Sequence, residues 1–174
     1  MARPIPAPIG LARTVIRLVN GLNLTFGVLV FTLLVATLVA EGPVLRALGF
    51  PGAAENPAFV LGGRIIMVIG LASVPLAYLA LVRLGEIVDT VRLGDPFVGV
   101  NARRLQTMAW ALLGMELLHL VVGLVVLIVS TDAQPLDIDW NFSVTGWLAV
   151  LLLFVLARVF DHGARMREDL EGTV

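Results

Sequence analysis

Leu105–Ser130 reads LQTMAWALLGMELLHLVVGLVVLIVS, and only Glu116 and His119 in it can carry charge. At about 1.5 Å per residue, a helix over these positions is roughly 39 Å long, more than the ~30 Å hydrocarbon core of a bilayer. Three further apolar stretches, Leu18–Ala40, Val60–Val82 and Val144–Val159, are also long enough, or nearly so, to cross a membrane. The charges fall almost entirely between them. The expected fold is all-α: a four-transmembrane-helix bundle forming one domain over 1–174. A helical extension and turn are expected over 83–104, and a tail over 160–174.

Composition agrees. The chain is 59% hydrophobic, with a mean hydropathy of +0.97, whereas a soluble domain of this size needs polar faces on its helices. The net charge of −1 gives no global pull toward nucleic acid, so no direct nucleic-acid partner is expected. Cysteine is absent, which excludes disulfides, thiolate catalysis and cysteine-ligated metal. All 12 basic residues are arginine, suggesting a GC-rich coding sequence and a bacterial source.

Arginine placement gives an orientation. Arg3, Arg13 and Arg17 precede the first stretch. Arg83, Arg92, Arg103 and Arg104 lie between the second and third, and Arg158, Arg165 and Arg167 end the fourth. The last loop, Thr131–Asn141, carries Asp132, Asp137 and Asp139 and no base. Basic residues resist translocation, so both termini are expected in the cytoplasm of a bacterial inner-membrane protein. The first apolar run exceeds the ~7–15 residues of a signal core. Leu38 also occupies the −3 position before the best cleavage site at Ala40, where a small residue is needed. An uncleaved helix is expected.

Local signals mark the joints. Pro4, Pro6 and Pro8 favour an extended leader, and helical spacing starts at Leu11. Gly42, Pro43, Gly49, Pro51, Gly52 and Pro57 break the first outer loop, with Val44–Phe50 apolar enough for a short turn on the membrane surface. Beyond Val82 the helical pattern continues, with Arg83–Glu86 and Asp89–Arg92 each spaced to pair. Gly94 suits a helix stop, Asp95-Pro96 a turn or a new helix start, and Asn101 is a second candidate N-cap, for the third span. Pro75 predicts a kink in the second span. Asn20, Asn23 and Thr25 are candidates for hydrogen bonds across helices.

Glu116 and His119 share a helix face near the bilayer centre, where a carboxylate is costly unless paired or protonated. Counting turns places Arg64 roughly 5–10 Å nearer the outer surface. An intramembrane polar cluster of Arg64, Glu116 and His119 is the resulting expectation. It can serve helix register alone, or handle protons or a ligand. One Glu/His pair is too little for a metal site. No catalytic constellation and no cofactor motif is present, so no enzyme activity is expected.

The cytoplasmic connection has a recognisable pattern. The runs Glu86–Phe97 (EIVDTVRLGDPF) and Asn101–Leu105 (NARRL) resemble the bacterial membrane family called domain of unknown function 2975. The tail Phe160–Val174 (FDHGARMREDLEGTV) is similar to that family's ending, and four flanking spans match its layout. Gly99-Val100 stands where the family often has Pro-Glu, a departure that loosens the turn. The family has no established activity. Its members often neighbour genes for small helix-turn-helix regulators, which implies a membrane anchor or inhibitor for such a partner.

The docking residues expected on that basis are Gly94, Asp95, Pro96, Phe97, Asn101, Arg104, Arg167, Glu168, Asp169 and Leu170. The competing reading is a small transporter or channel subunit using Arg64, Glu116 and His119, for which 174 residues would need a homo-oligomer.

Overall fold

The computed structural model describes residues 7–50, 52–94, 97–130 and 142–171 of the chain. Among them are five helices and no strand: α1 (Ala7–Val39), α2 (Glu41–Ala47), α3 (Pro57–Arg92), α4 (Gly99–Val129) and α5 (Val144–Glu171). A 3-10 turn, Ala53–Glu55, joins α2 to α3. Helices α1, α3, α4 and α5 are each long and apolar enough to cross a membrane.

Short-range chemistry sets the ends. Pro8 falls in the first turn of α1, where a missing N–H costs nothing. At the start of α3, Asn56 Oδ1 accepts from the Phe59 N–H at 3.3 Å and Pro57 takes the first helical position. Ser143 does the same for α5, its Oγ accepting from Gly146 N at 3.0 Å. Helix α3 runs unbroken through Pro75 to Arg92 and stops where Gly94 turns left-handed at φ 85°. At 36 residues it is about 54 Å long, so it overruns a ~30 Å hydrocarbon core. The expected Asn101 cap is corrected. Helix α4 begins at Gly99 after Val98, and Asn101 lies inside its first turn.

The four long helices of the expected bundle are arranged as an open row. α3 packs between α1 and α4, and α4 between α3 and α5. Among the described residues α1 meets neither α4 nor α5, and α3 does not pair with α5 along its backbone. Neighbours are antiparallel in constant register. Gly27 faces Val74 and Gly85 faces Ile16 across α1–α3; Gly62 faces Val129 and Gly114 faces Leu76 across α3–α4; Gly146 faces Glu116 across α4–α5. The start of α1, the α3–α4 turn and the end of α5 therefore share one end of the row, which carries most of the arginines.

Burial follows the row. The inner helix α4 buries Ala102, Leu105, Met108, Ala109 and Ala111. On α1 the residues from Leu22 to Val39 leave Val28 at 65% and Phe31 at 57% exposed, as a lipid-facing edge requires. Ala80, Met108 and Ala111 form one core cluster with Leu153 of α5 packed on it. At the far end Leu45 of α2 packs on Phe59 and Val60 with Val129 against them, and Phe50 and Phe59 sit 5.3 Å apart.

The tightest seam gives a test. A Cβ on Gly62 would stand 2.7 Å from Val129 Cγ2, whereas one on Gly63 meets nothing within 4 Å. Gly62→Ala should destabilise the protein by about 1–3 kcal/mol through overpacking, and Val129→Ala should relieve most of it. Gly63→Ala should be neutral. Thermal melting in detergent distinguishes them, and equal losses at the two glycines would refute the assigned register.

Candidate docking site at the arginine-rich end

Glu86, one turn and a half before the end of α3, is the hub of this end. Arg83 Nη1 donates to both its oxygens, at 3.1 and 2.9 Å, and Arg104 Nε of α4 donates at 2.8 Å. Arg104 Nη1 also donates to Asn101 Oδ1 at 2.9 Å, and Asn101 Nδ2 donates to Thr90 Oγ1 at 2.7 Å. Asn101 is fully buried. An amide in that position satisfies its donors and acceptor only if α3 and α4 keep their register. The Arg83 hydrogen bond above all holds the Glu86 carboxyl below its ordinary value of 4.5; desolvation opposes this, and the Arg104 hydrogen bond adds to it.

Asp89 does not pair with Arg92 as its spacing suggests. It faces Arg13 across the antiparallel α1–α3 pair, at 3.4 Å. Asn23 Nδ2 adds a hydrogen bond to Val74 O at 3.0 Å in the same seam. Thr25 instead donates to Gly21 O of its own helix, and Asn20 Oδ1 is buried with no partner among the described residues.

Past the network lies a cleft of about 420 Å³, lined by Phe97, Val159, His162, Gly163, Met166 and Arg167. Phe97 rests on Phe160 with ring centroids 5.1 Å apart. Gly163 lets it approach: a Cβ there would stand 3.2 Å from Phe97 Cδ1. Phe97 and Met166 remain 46% and 54% exposed, so the cleft presents apolar surface at its mouth.

Of the residues singled out for docking, the structure brings Phe97 and Arg167 together in this cleft. Asn101 and Arg104 are instead buried or half-buried in the α3–α4 clamp. Gly94 is the left-handed turn. Asp95 and Pro96 lie outside the described residues, as do the side chains of Glu168 and Leu170, while Asp169 is exposed on the last turns of α5. His162, Gly163 and Met166 were missed as docking residues. Their spacing on one helix face opposite Phe97 is the signal that could have found them.

The cluster of Arg64 with Glu116 and His119 is corrected. Arg64 Nη2 donates to Glu41 Oε2 at 2.7 Å and to Thr37 O at 2.6 Å. It thereby caps a terminal carbonyl of α1 and pairs with the acid that opens α2. The α3–α4 register puts Arg64 roughly ten residues, ~15 Å of helix, from the level of Glu116. Glu116 turns toward α5, where a Cβ on Gly146 would collide with its carboxylate. His119 lies one turn further along α4, half-buried.

Two measurements follow. A double-mutant cycle should give Arg64 and Glu41 a coupling of about 0.2–1 kcal/mol. Arg64 and Glu116 should be additive within ~0.3 kcal/mol. Because Glu86 is depressed in the fold, its contribution to stability is complete above the ordinary carboxylate value and is lost as pH falls through the depressed one. Glu86→Gln should flatten that acid limb in a melting-versus-pH series; an unchanged limb would show that the network does not carry it.

A family model described as "Protein of unknown function (DUF2975)" matches residues 39–174. The match covers α2 to α5 and meets α1 only at its last residue. No curated protein and no solved structure matches the chain. With the Gly-Asp-Pro-Phe turn, the Asn-Ala-Arg-Arg-Leu run and the tail all inside the matched segment, the chain belongs to the DUF2975 family of proteins of unknown function.

Proposed function

We propose that this is a non-enzymatic, multi-pass protein of the bacterial inner membrane that presents the Phe97–Met166 cleft to a cytoplasmic partner, a small helix-turn-helix transcription regulator. The observation that carries the reading is an apolar cleft built on helix ends that overrun the bilayer. Helix α5 continues about 18 Å beyond Val159, and the cleft is on that continuation. Apolar surface there is not needed for contact with lipid chains. The arginine-rich end is the cytoplasmic one by the positive-inside rule. His162 and Arg167 at the mouth suit an apolar side chain flanked by acidic groups. Phe97, His162, Gly163, Met166 and Arg167, which line the cleft, also fall in the segments on which the resemblance to regulator-associated members rests.

The test is co-purification in mild detergent with a co-expressed small helix-turn-helix regulator. Wild type should retain the regulator. Met166→Asp and Gly163→Leu, which charge and fill the cleft, should each lower retention at least tenfold without changing the melting temperature by more than a few degrees. Undiminished retention by both variants would sink the docking site. A regulator that never binds wild type would sink the function.

The alternative, a transporter or channel subunit, rests on Glu116, held beside the Gly146 gap between α4 and α5. Loss of proton or solute flux in Glu116→Gln liposomes would favour it.

A further inference from the structure

We propose that the α4–α5 seam, at its arginine-rich end, binds the phosphate of an anionic phospholipid between Arg103 and Arg158. This site is separate from the Phe97 cleft and does not depend on the docking reading. A pocket of about 210 Å³ opens there, with Arg103, Gln106, Arg158 and Asp161 on its walls. Its base is small: Ala102 and Ala157 are 6% and 7% exposed, and their methyl groups leave the space that larger side chains would fill.

The charge balance singles the pocket out. Arg13, Arg64, Arg83, Arg104 and Arg165 each hold a carboxylate within 3.4 Å. Arg103 and Arg158 are exposed, and neither forms an ion pair among the described residues. The one acid in the pocket, Asp161, is already engaged by Arg165 Nη2 at 2.8 Å. Two guanidinia thus converge on a space that lacks a free counter-charge. Planar, bidentate donors fit phosphate oxygens, and basic pockets between membrane helices suit lipid headgroups.

The surface below selects a lipid over a free anion. Phe154 forms the deep wall of the pocket and meets Trp110 edge-on, with centroids 5.2 Å apart. Trp110 is 59% exposed. It lies two turns, about 10 Å, deeper than Arg103. A phosphate on the arginines would place the glycerol esters near Gln106 and the upper acyl chain on the indole, the depth at which aromatic belts sit.

The experiment uses the full chain with Trp140→Phe and Trp147→Phe, leaving Trp110 as the fluorophore, reconstituted in vesicles of phosphatidylcholine containing brominated lipid. Brominated phosphatidylglycerol should quench Trp110 at a severalfold lower mole fraction than brominated phosphatidylcholine. Arg103→Gln and Arg158→Gln should each weaken that preference by roughly fivefold, the equivalent of ~1 kcal/mol per arginine at a membrane surface. Arg103→Lys should retain part of it. Arg17→Gln and Arg92→Gln, which also alter arginines without an ion pair among the described residues, should leave it unchanged.

Equal quenching by the two lipids in wild type overturns the proposal. So does a preference lowered equally by Arg17→Gln, which would mean diffuse attraction. If inorganic phosphate raises the melting temperature in detergent while the two lipids quench alike, the pocket holds a free anion and the lipid assignment fails.

Discussion

Lipid chains are as apolar as leucine, so no hydrophobic force holds α3 against α4 within a bilayer. What holds them is contact that lipid cannot supply: backbone approach at one end and a closed polar network at the other. Gly62 admits Val129 to within a methyl's width, and some 40 Å away Asn101 bridges Thr90 and Arg104 while Arg104 reaches Glu86. A one-turn slip would drive Val129 into a side chain and strand a fully buried amide. The remaining helices attach to this pair, α1 to α3 and α5 to α4, and among the described residues they do not close a ring.

The open row has electrostatic consequences. Three acids near the arginine-rich end are paired: Glu86 with Arg104 of α4, Asp89 with Arg13 of α1, and Asp161 with Arg165 of its own helix. Once those pairings are made, Arg103 and Arg158 remain at the α4–α5 seam with a pocket between them. The Phe97 cleft lies on the far side of the same helix end, where Gly163 removes the side chain that would otherwise fill it. Structural clamp, charged pocket and apolar cleft therefore lie together at one end of a 174-residue chain without sharing residues.

Much of this could be read from residue order. Apolar runs longer than a bilayer announce helices, and Asn56-Pro57 and Gly94 mark ends through purely local backbone chemistry. The Arg83–Glu86 pair is an i, i+3 contact within one helix and was visible for that reason. Asn23 was read as a residue that bonds across helices, and it does so to Val74 O, but several others with partners on other helices were misread. Asp89 has Arg92 at equally good spacing, and only the α1–α3 register gives it to Arg13. Asn101 has the composition of a cap, but its neighbours across α4–α3 turn it into a bridge. Arg64 and Glu116 were joined by counting depths, an estimate that ignores which seam each side chain faces.

The sequence by itself determined the solvent, the number of long helices and the sorting of arginine to one end. These depend on transfer free energies and on local geometry, which belong to each segment separately. Only the tertiary structure decided the order of the helices, the open edge between α1 and α5, and the seam in which each charge resides. In a bilayer almost every face of these helices is apolar, so periodicity does not say which face meets a neighbour. That choice rests on a few glycines and hydrogen-bonding side chains matched across helices distant in sequence.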